Sequence, residues 1–190
     1  MGAYKIVVTN TNKRRGLADS KYNERRAECE RGLEFLQQAG AEIDSLGELS
    51  LARFSELADT IQDDTVKRRV EHVVSEDERV LQAVDALKAG DLPVFGQLMK
   101  ASHESLRDDY EVTGLELDTL YELQKAAPGC IGTRMTGAGF GGCTVSLVKD
   151  DHVEAFCQTV ETQYVQRIGY PPSFYLSEAG DGVKEIAGRG

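Results

Sequence analysis

The sequence predicts an α+β fold, a small, mostly antiparallel sheet covered by helices. Three observations carry this: a strand-like segment at the N-terminus, helical periodicity over more than half the chain, and a glycine-rich turn between two strand-like segments near the C-terminus. The chain has 190 residues, 41% hydrophobic and 28% charged. That suits a single domain, residues 1–190, able to bury a core without disulfide or metal staples.

Tyr4-Lys5-Ile6-Val7-Val8-Thr9-Asn10 reads as a strand with a buried centre. Only Met1-Gly2-Ala3 stand before it; a natural chain can start this way, and a core strand at the very edge also suggests a segment cut from a longer protein. A helix follows from Leu17 to Gly40, its inward face running Tyr22, Cys29, Leu33 and Leu36, with Arg25, Arg26, Glu28 and Glu30 projecting elsewhere. A short helix is expected from about Ser50 to Ile61. Val66, Val70, Val73, Val80, Val84 and Leu87 then mark the apolar stripe of a long helix closed by Gly90. Asp91 caps the next helix, with Pro93 in its first turn and Leu92, Phe95, Met99, Ser102 and Leu106 on one face. Another helix fits Leu117 to Ala127, ahead of Pro128-Gly129, and a last one runs through Val153, Phe156, Val160 and Tyr164. After Pro171-Pro172 a terminal strand is expected around Ser173 to Leu176, with Val183 to Ile186 as a candidate partner.

Arg134 to Val148 reads RMTGAGFGGCTVSLV and is the most informative stretch. Gly137, Gly139, Gly141 and Gly142 make poor helix or strand interior, because glycine loses the most backbone freedom on ordering. They are expected where the main chain adopts positive φ or closely approaches another group. Gly137, Gly139 and Gly142 satisfy the G-x-G-x-x-G spacing of dinucleotide-binding folds, but that motif needs a helix opening at its third glycine. Here Cys143-Thr144-Val145-Ser146-Leu147-Val148 alternates polar and apolar as a strand does. Two readings stay open: a tight hairpin with close backbone packing, or a turn whose amides line a phosphate or sugar site.

Net charge is −10, which argues against nucleic-acid or anionic-membrane partners and requires any phosphate ligand to be held by local amides, a metal or a few placed cations. Cys29, Cys130, Cys143 and Cys157 form no C-x-x-C pair and read as small buried hydrophobes in a reducing compartment. With no signal peptide and no long apolar run, the expected location is the cytoplasm. His72, His103 and His152 share no metal-ligand spacing with a cysteine or carboxylate, so no metal site is expected. Arg107-Asp108-Asp109-Tyr110 reads as a charged helix end, and Glu116-Leu117-Asp118 as acids favoured near a helix N-terminus. No Ser/His/Asp order, paired-carboxylate spacing or G-x-x-x-x-G-K-[ST] loop is present.

Four blocks resemble the galactokinases of the GHMP small-molecule kinase superfamily. These are Asn10-Thr11-Asn12 followed by Leu17-Ala18-Asp19-Ser20-Lys21-Tyr22 and Arg25-Arg26; Met99 to Val112 (MKASHESLRDDYEV); Glu116-Leu117-Asp118; and Arg134 to Cys143. Thr113 stands where the second block usually ends in serine, a departure that keeps the hydroxyl. The blocks occur in family order over essentially the whole chain. Their combination resembles galactokinases rather than mevalonate or homoserine kinases, which share mainly the glycine motif.

The resemblance implies a GHMP-kinase C-terminal domain, with the N-terminal kinase domain absent from this chain. That missing part would carry the first sugar-contacting motif, the loop that holds the ATP phosphates, the catalytic base and the metal ligands, so no catalytic residue is expected here. Tyr22 matches the tyrosine that contacts galactose, and Gly137, Gly139, Phe140, Gly141 and Gly142 match the turn beside the sugar and phosphate. The implied reaction is transfer of the γ-phosphoryl group of Mg-ATP, a substrate, to the C1 hydroxyl of galactose. The implied partners are galactose, ATP and the missing N-terminal domain. A galactokinase-like protein that senses sugar and nucleotide without turnover is the alternative, and the fragment alone is expected to be inactive.

Overall fold

The computed structural model describes residues 3–14, 18–178 and 180. Strands β1 (Tyr4–Asn10), β2 (Cys130–Thr136), β3 (Cys143–Lys149) and β4 (Ser173–Ser177) form one sheet in the order β2-β3-β1-β4, and each neighbouring pair is antiparallel. The N-terminal strand is thus central, flanked by two strands from the far end of the chain. Val183 to Ile186, the candidate partner of the last strand, lies outside the described residues.

Among the described residues six α-helices accompany the sheet: α1 (Ala18–Gln38), α2 (Leu51–Leu57), α3 (Asp64–Ala89), α4 (Leu92–Asp108), α5 (Leu115–Ala126) and α6 (Val153–Ile168). Their boundaries follow local chemistry. Asp63 caps α3 by accepting from the amides of Thr65 and Val66, Gly90 ends it in the left-handed conformation, and Asp91 caps α4 through the amide of Val94. The short helix expected to reach Ile61 stops earlier: α2 ends at Leu57, and Ala58–Thr60 tighten into a 3-10 turn.

Strand alternation divides the molecule into layers. Val7 and Val148 point to one face, where Leu120, Leu123, Phe156, Val160 and Tyr164 from α5 and α6 complete a core cluster. The same face holds a buried polar chain: Gln124 Nε2 donates to Thr9 Oγ1 at 2.9 Å, Thr133 Oγ1 donates to Gln124 Oε1 at 2.9 Å, and Ser146 Oγ donates to Thr133 Oγ1 at 2.8 Å. Every member has a partner, so the chain fixes strand register without leaving an unpaired group along it. A second cluster, built around Leu36, Phe54, Val66, Val70 and Val74, joins α1, α2 and α3. Burial of each large apolar side chain contributes roughly 1.5 to 3 kcal/mol against about 1 kcal/mol for a cap, so these clusters dominate the caps in holding the layers together.

Two inward faces differ from expectation. Val80, Val84 and Leu87 of α3 are exposed, because the α1–α2–α3 cluster reaches only to Val74 and the rest of the stripe finds no helix from that side. On α1, Tyr22 is exposed, while Arg25 and Glu28, expected to project outward, are buried. The cause is a set of ionic partners supplied by α3 and by the segment after α4. The cysteines Cys29, Cys130, Cys143 and Cys157 are half-buried rather than buried. Burial nonetheless pushes the Cys130 thiol up to about 11. Among the described residues, no helix is long and apolar enough to cross a membrane.

Candidate functional site

Thr136 of β2 pairs with Cys143 of β3, so Gly137 to Gly142 form the loop of a β-hairpin. Five of its six residues have positive φ: Gly137 at 83°, Gly139 at 81°, Phe140 at 58°, Gly141 at 124° and Gly142 at 84°. A glycine-free loop would be strained at each of these positions. The glycines are not equivalent. A Cβ on Gly139 would collide with the carbonyl oxygen of Val112, and one on Gly141 would come 3.0 Å from Cδ of Lys13, whereas Gly137 and Gly142 have open space around them. One side of the turn is therefore packed, and the other is exposed main chain.

Three segments hold the packed side. The Phe140 amide donates to the Val112 carbonyl at 2.6 Å, and the Phe140 ring packs on Leu106, Val112, Leu117 and Met135. At the other end the Thr11 amide donates to the Gly142 carbonyl at 2.8 Å, and the Tyr164 hydroxyl of α6 donates to the Thr11 carbonyl at 2.9 Å. Asn12, itself at φ 55°, ties this segment to the start of β4, donating to the Pro171 carbonyl at 3.0 Å and to Ser173 Oγ at 2.9 Å. Lys13 lies along Gly141 and pairs with Glu116 at 2.9 Å. Burial works to raise the Glu116 carboxyl, but pairing with Lys13, together with its own backbone amide and Tyr170, holds the group below its ordinary value.

Several polar residues of the Met99 to Val112 block meet partners from other elements. Ser102 donates to Glu76 of α3, which also accepts from Arg134 at 3.1 Å and from Arg79 at 2.7 Å. His103 is fully buried, stacked on Tyr121, and its Nδ1 accepts from the Met135 amide at 3.0 Å. The proton therefore sits on Nε2, 3.5 Å from Asp118 Oδ1. Ser105 donates to Asp109 at 2.7 Å and lies 2.9 Å from Nδ1 of His72, so the imidazole N–H points at the hydroxyl oxygen. Arg107 and Asp108 pair with each other at the surface.

Lys21 sits with its ammonium 5.6 Å from the centroid of the Phe140 ring, which brings the first turn of α1 beside the glycine turn. Tyr22 is the next residue. It is 54% exposed and lines a surface cavity of about 370 Å³ with Cys29, Leu33, Val73 and Tyr110. The structure brings the glycine turn, the Asn10-Thr11-Asn12 segment and Glu116 together. Tyr22 it places nearby, on a different wall.

Sequence reasoning missed the ionic assembly under the turn. Arg69 of α3, 2% exposed, donates to Glu28 of α1 at 2.8 Å, to the Asp109 carbonyl and to Glu111 Oε2 at 2.8 Å. Arg25 donates to the Tyr110 carbonyl at 2.7 Å, to the Glu111 carbonyl at 3.2 Å and to Glu28 at 3.1 Å. Hydrogen bonding from Arg69 is the main cause of a lowered Glu111 carboxyl. The only sequence signal was the break in polarity at Arg25 and Glu28, charged residues one turn apart beside an apolar stripe.

The family model for the GHMP kinases C-terminal domain matches residues 83–166. With the α+β sheet and the glycine hairpin, this defines the class: the chain carries a GHMP-kinase C-terminal domain. Within that superfamily it is similar to the C-terminal portion of galactokinases. The galactokinase of Halalkalibacterium halodurans is 62% identical over 185 residues, 97% of this chain and 47% of that protein. That of Clostridium acetobutylicum is 58% identical over 186 residues, 98% of this chain and 48% of that protein. The crystal structure of Lactococcus lactis galactokinase complexed with galactose superposes with a TM-score of 0.91 at 49% identity, covering 97% of this chain and 47% of that one. L. major mevalonate kinase, at 19% identity and a TM-score of 0.56, shares the fold alone. The chain spans about half the length of the curated relatives it matches.

Proposed function

We propose that this chain is the C-terminal part of a galactokinase that transfers the γ-phosphoryl group of Mg-ATP to the C1 hydroxyl of galactose. The observation that carries the reading is the glycine turn, in which five of six residues take positive φ with one side clamped and the other left as bare main chain. Such a turn admits a polar ligand to within hydrogen-bonding distance of backbone amides. The likeness to a galactokinase whose crystal structure was determined with galactose supports the choice of sugar.

In this reading the main chain from Gly137 to Gly142 lies beside the sugar and the transferred phosphate, and the Tyr22 hydroxyl contacts galactose. Phosphoryl transfer depends on positioning and electrostatic stabilisation more than on covalent chemistry by the protein. The base, the phosphate loop and the ligands of the substrate magnesium belong to an N-terminal kinase domain that completes the site. The 190-residue chain therefore binds its substrates weakly and turns over neither. ADP release coupled to a dehydrogenase readout, with galactose and Mg-ATP, tests both halves of the proposal. The full-length polypeptide should release ADP with galactose and not with glucose, and the isolated chain should match a blank without enzyme. No galactose-dependent ADP from the full-length polypeptide would refute the kinase reading, and turnover by the isolated chain would refute the division of labour.

A further inference from the structure

We propose that Arg69, with Arg25, is a positioning residue for the glycine turn, acting through the backbone of Asp109 to Val112. The inference rests on the galactokinase reading for its consequence in turnover. Three consecutive carbonyls after α4 receive guanidinium hydrogen bonds: Asp109 from Arg69, and Tyr110 and Glu111 from Arg25. Glu111 stands at φ 54°, a conformation unfavourable to a residue with a side chain, and persists where the surroundings over-determine it. Here they do, because its carboxylate is held by Arg69 at 2.8 Å and Arg68 at 3.1 Å. The next residue, Val112, supplies the carbonyl that accepts the Phe140 amide and that any Cβ on Gly139 would strike. A continuous series of contacts thus runs from helices α1 and α3 to the centre of the turn. Two buried guanidiniums on rigid helices set where the Val112 carbonyl sits, and that carbonyl sets where Gly139 and Phe140 sit.

Glu28 completes the device. Its carboxylate accepts from both Arg25 and Arg69, so one anion orients the two cations at one point in a largely buried setting, and Glu111 supplies the second negative charge. Lysine cannot reproduce the arrangement, since an ammonium is a single point donor where Arg69 bridges three acceptors in a fixed fork.

The test pairs amide hydrogen exchange on the 190-residue chain with steady-state kinetics in the full-length polypeptide. Arg69→Met leaves Glu28 short of a partner and risks unfolding. Arg69→Met/Glu28→Gln, which removes the charges of the buried pair and keeps an amide oxygen to accept from Arg25, is therefore measured beside it. In every folded variant the Phe140 amide should exchange at least about tenfold faster than in the wild type, while the amides of Val7 and Val148 in the sheet core keep their rates. In the full-length polypeptide, kcat should fall by about tenfold or more at a temperature well below the variant's melting point, and Arg69→Lys should lie between. Unchanged Phe140 exchange, or acceleration of equal size at Val7 and Val148, would overturn the proposal and make Arg69 a general stability residue. Faster Phe140 exchange with unchanged kcat would overturn its catalytic consequence. If the wild-type full-length polypeptide shows no galactose-dependent turnover, the functional reading fails on that control, and the exchange data alone decide the coupling.

Discussion

Within the turn, adjacent glycines obey different constraints, and alanine separates them. Gly137→Ala introduces a Cβ at φ 83° into open space, so the cost is the left-handed backbone alone, about 1 kcal/mol. Gly139→Ala adds a collision with the Val112 carbonyl and displaces the acceptor of the Phe140 amide, so its cost should reach roughly 2 to 4 kcal/mol. Denaturant melts of the two variants should differ accordingly, and equal costs would mean that the Val112 contact contributes nothing. That glycines belonged here was legible in the sequence, because a run of positive φ costs little only for glycine, and in the turn Phe140 alone takes it with a side chain. Which of them touches another segment was not, since Val112 and Lys13 lie far away along the chain. Tyr22 is the opposite case. The heptad-like spacing to Cys29 and Leu36 places it on the core face, yet it lies near the start of α1, ahead of the stretch packed on α3, and the residue is 54% exposed. Tyr22→Phe should therefore leave the melting temperature unchanged. If its hydroxyl contacts galactose, the Michaelis constant for galactose should rise by the equivalent of roughly 0.5 to 1.5 kcal/mol with that for ATP unaltered. Equal galactose constants in the two proteins would remove Tyr22 from the site.

Among the elements, α4 is the one on which the site depends most. It lies against β2 so closely that Gly96 and Gly132 face each other: a Cβ on Gly132 would be 2.6 Å from the Gly96 Cα, and one on Gly96 would strike the Ile131 carbonyl. This approach seats Ser102 and His103 against Glu76 and the Met135 amide, at the base of the hairpin. Gly96→Ala must push α4 off the strand, and it should destabilise the chain by roughly 2 to 4 kcal/mol, visible as a lower denaturation midpoint. A cost below 1 kcal/mol would mean that the helix can shift freely. Helix α4 itself was legible from the Asp91 cap, Pro93 and the Phe95, Met99 and Leu106 spacing. The reason for Gly96 inside it was not, because only the tertiary approach of β2 demands it. Sheet order was hidden for the same kind of reason. Val7 announces a buried strand, but nothing in β1 says that it inserts between β3 and β4. Likewise, Arg25 and Glu28 read as surface charges until Arg69 and the Asp109 to Glu111 carbonyls meet them, since periodicity registers hydrophobicity and not ionic partnership.

Across the whole molecule, acid should weaken this chain over two pH windows that can be assigned. His72 is buried between α3 and α4, stacked on Tyr110 at 4.6 Å, and burial holds its imidazole at about 4. Glu76 and Asp109 nearby raise it, and Arg79 and Arg134 lower it, without reversing the effect of burial. Since the ordinary value is 6.5, between these limits the unfolded chain takes up a proton that the folded chain does not. The contribution is fully present above pH 6.5 and is lost as pH falls towards 4, amounting to roughly 2 to 4 kcal/mol over the full window. Glu76 acts in a lower window with the same sign. Burial tends to raise its carboxyl, but hydrogen bonds from Ser102 and Arg79 and the charge of Arg134 hold it below 4.5, so the stability it confers is lost only as pH falls beneath that value. Between pH 7.5 and pH 5, His72 is therefore the dominant buried contributor of the two, and the melting temperature should drop by on the order of 5 °C. His72→Gln keeps a polar side chain near Ser105 and cannot titrate, so its melting temperature should be lower than the wild type's at pH 7.5 but nearly flat across that range. Parallel curves for the two proteins would show that protonation of the buried imidazole is not what acid acts upon.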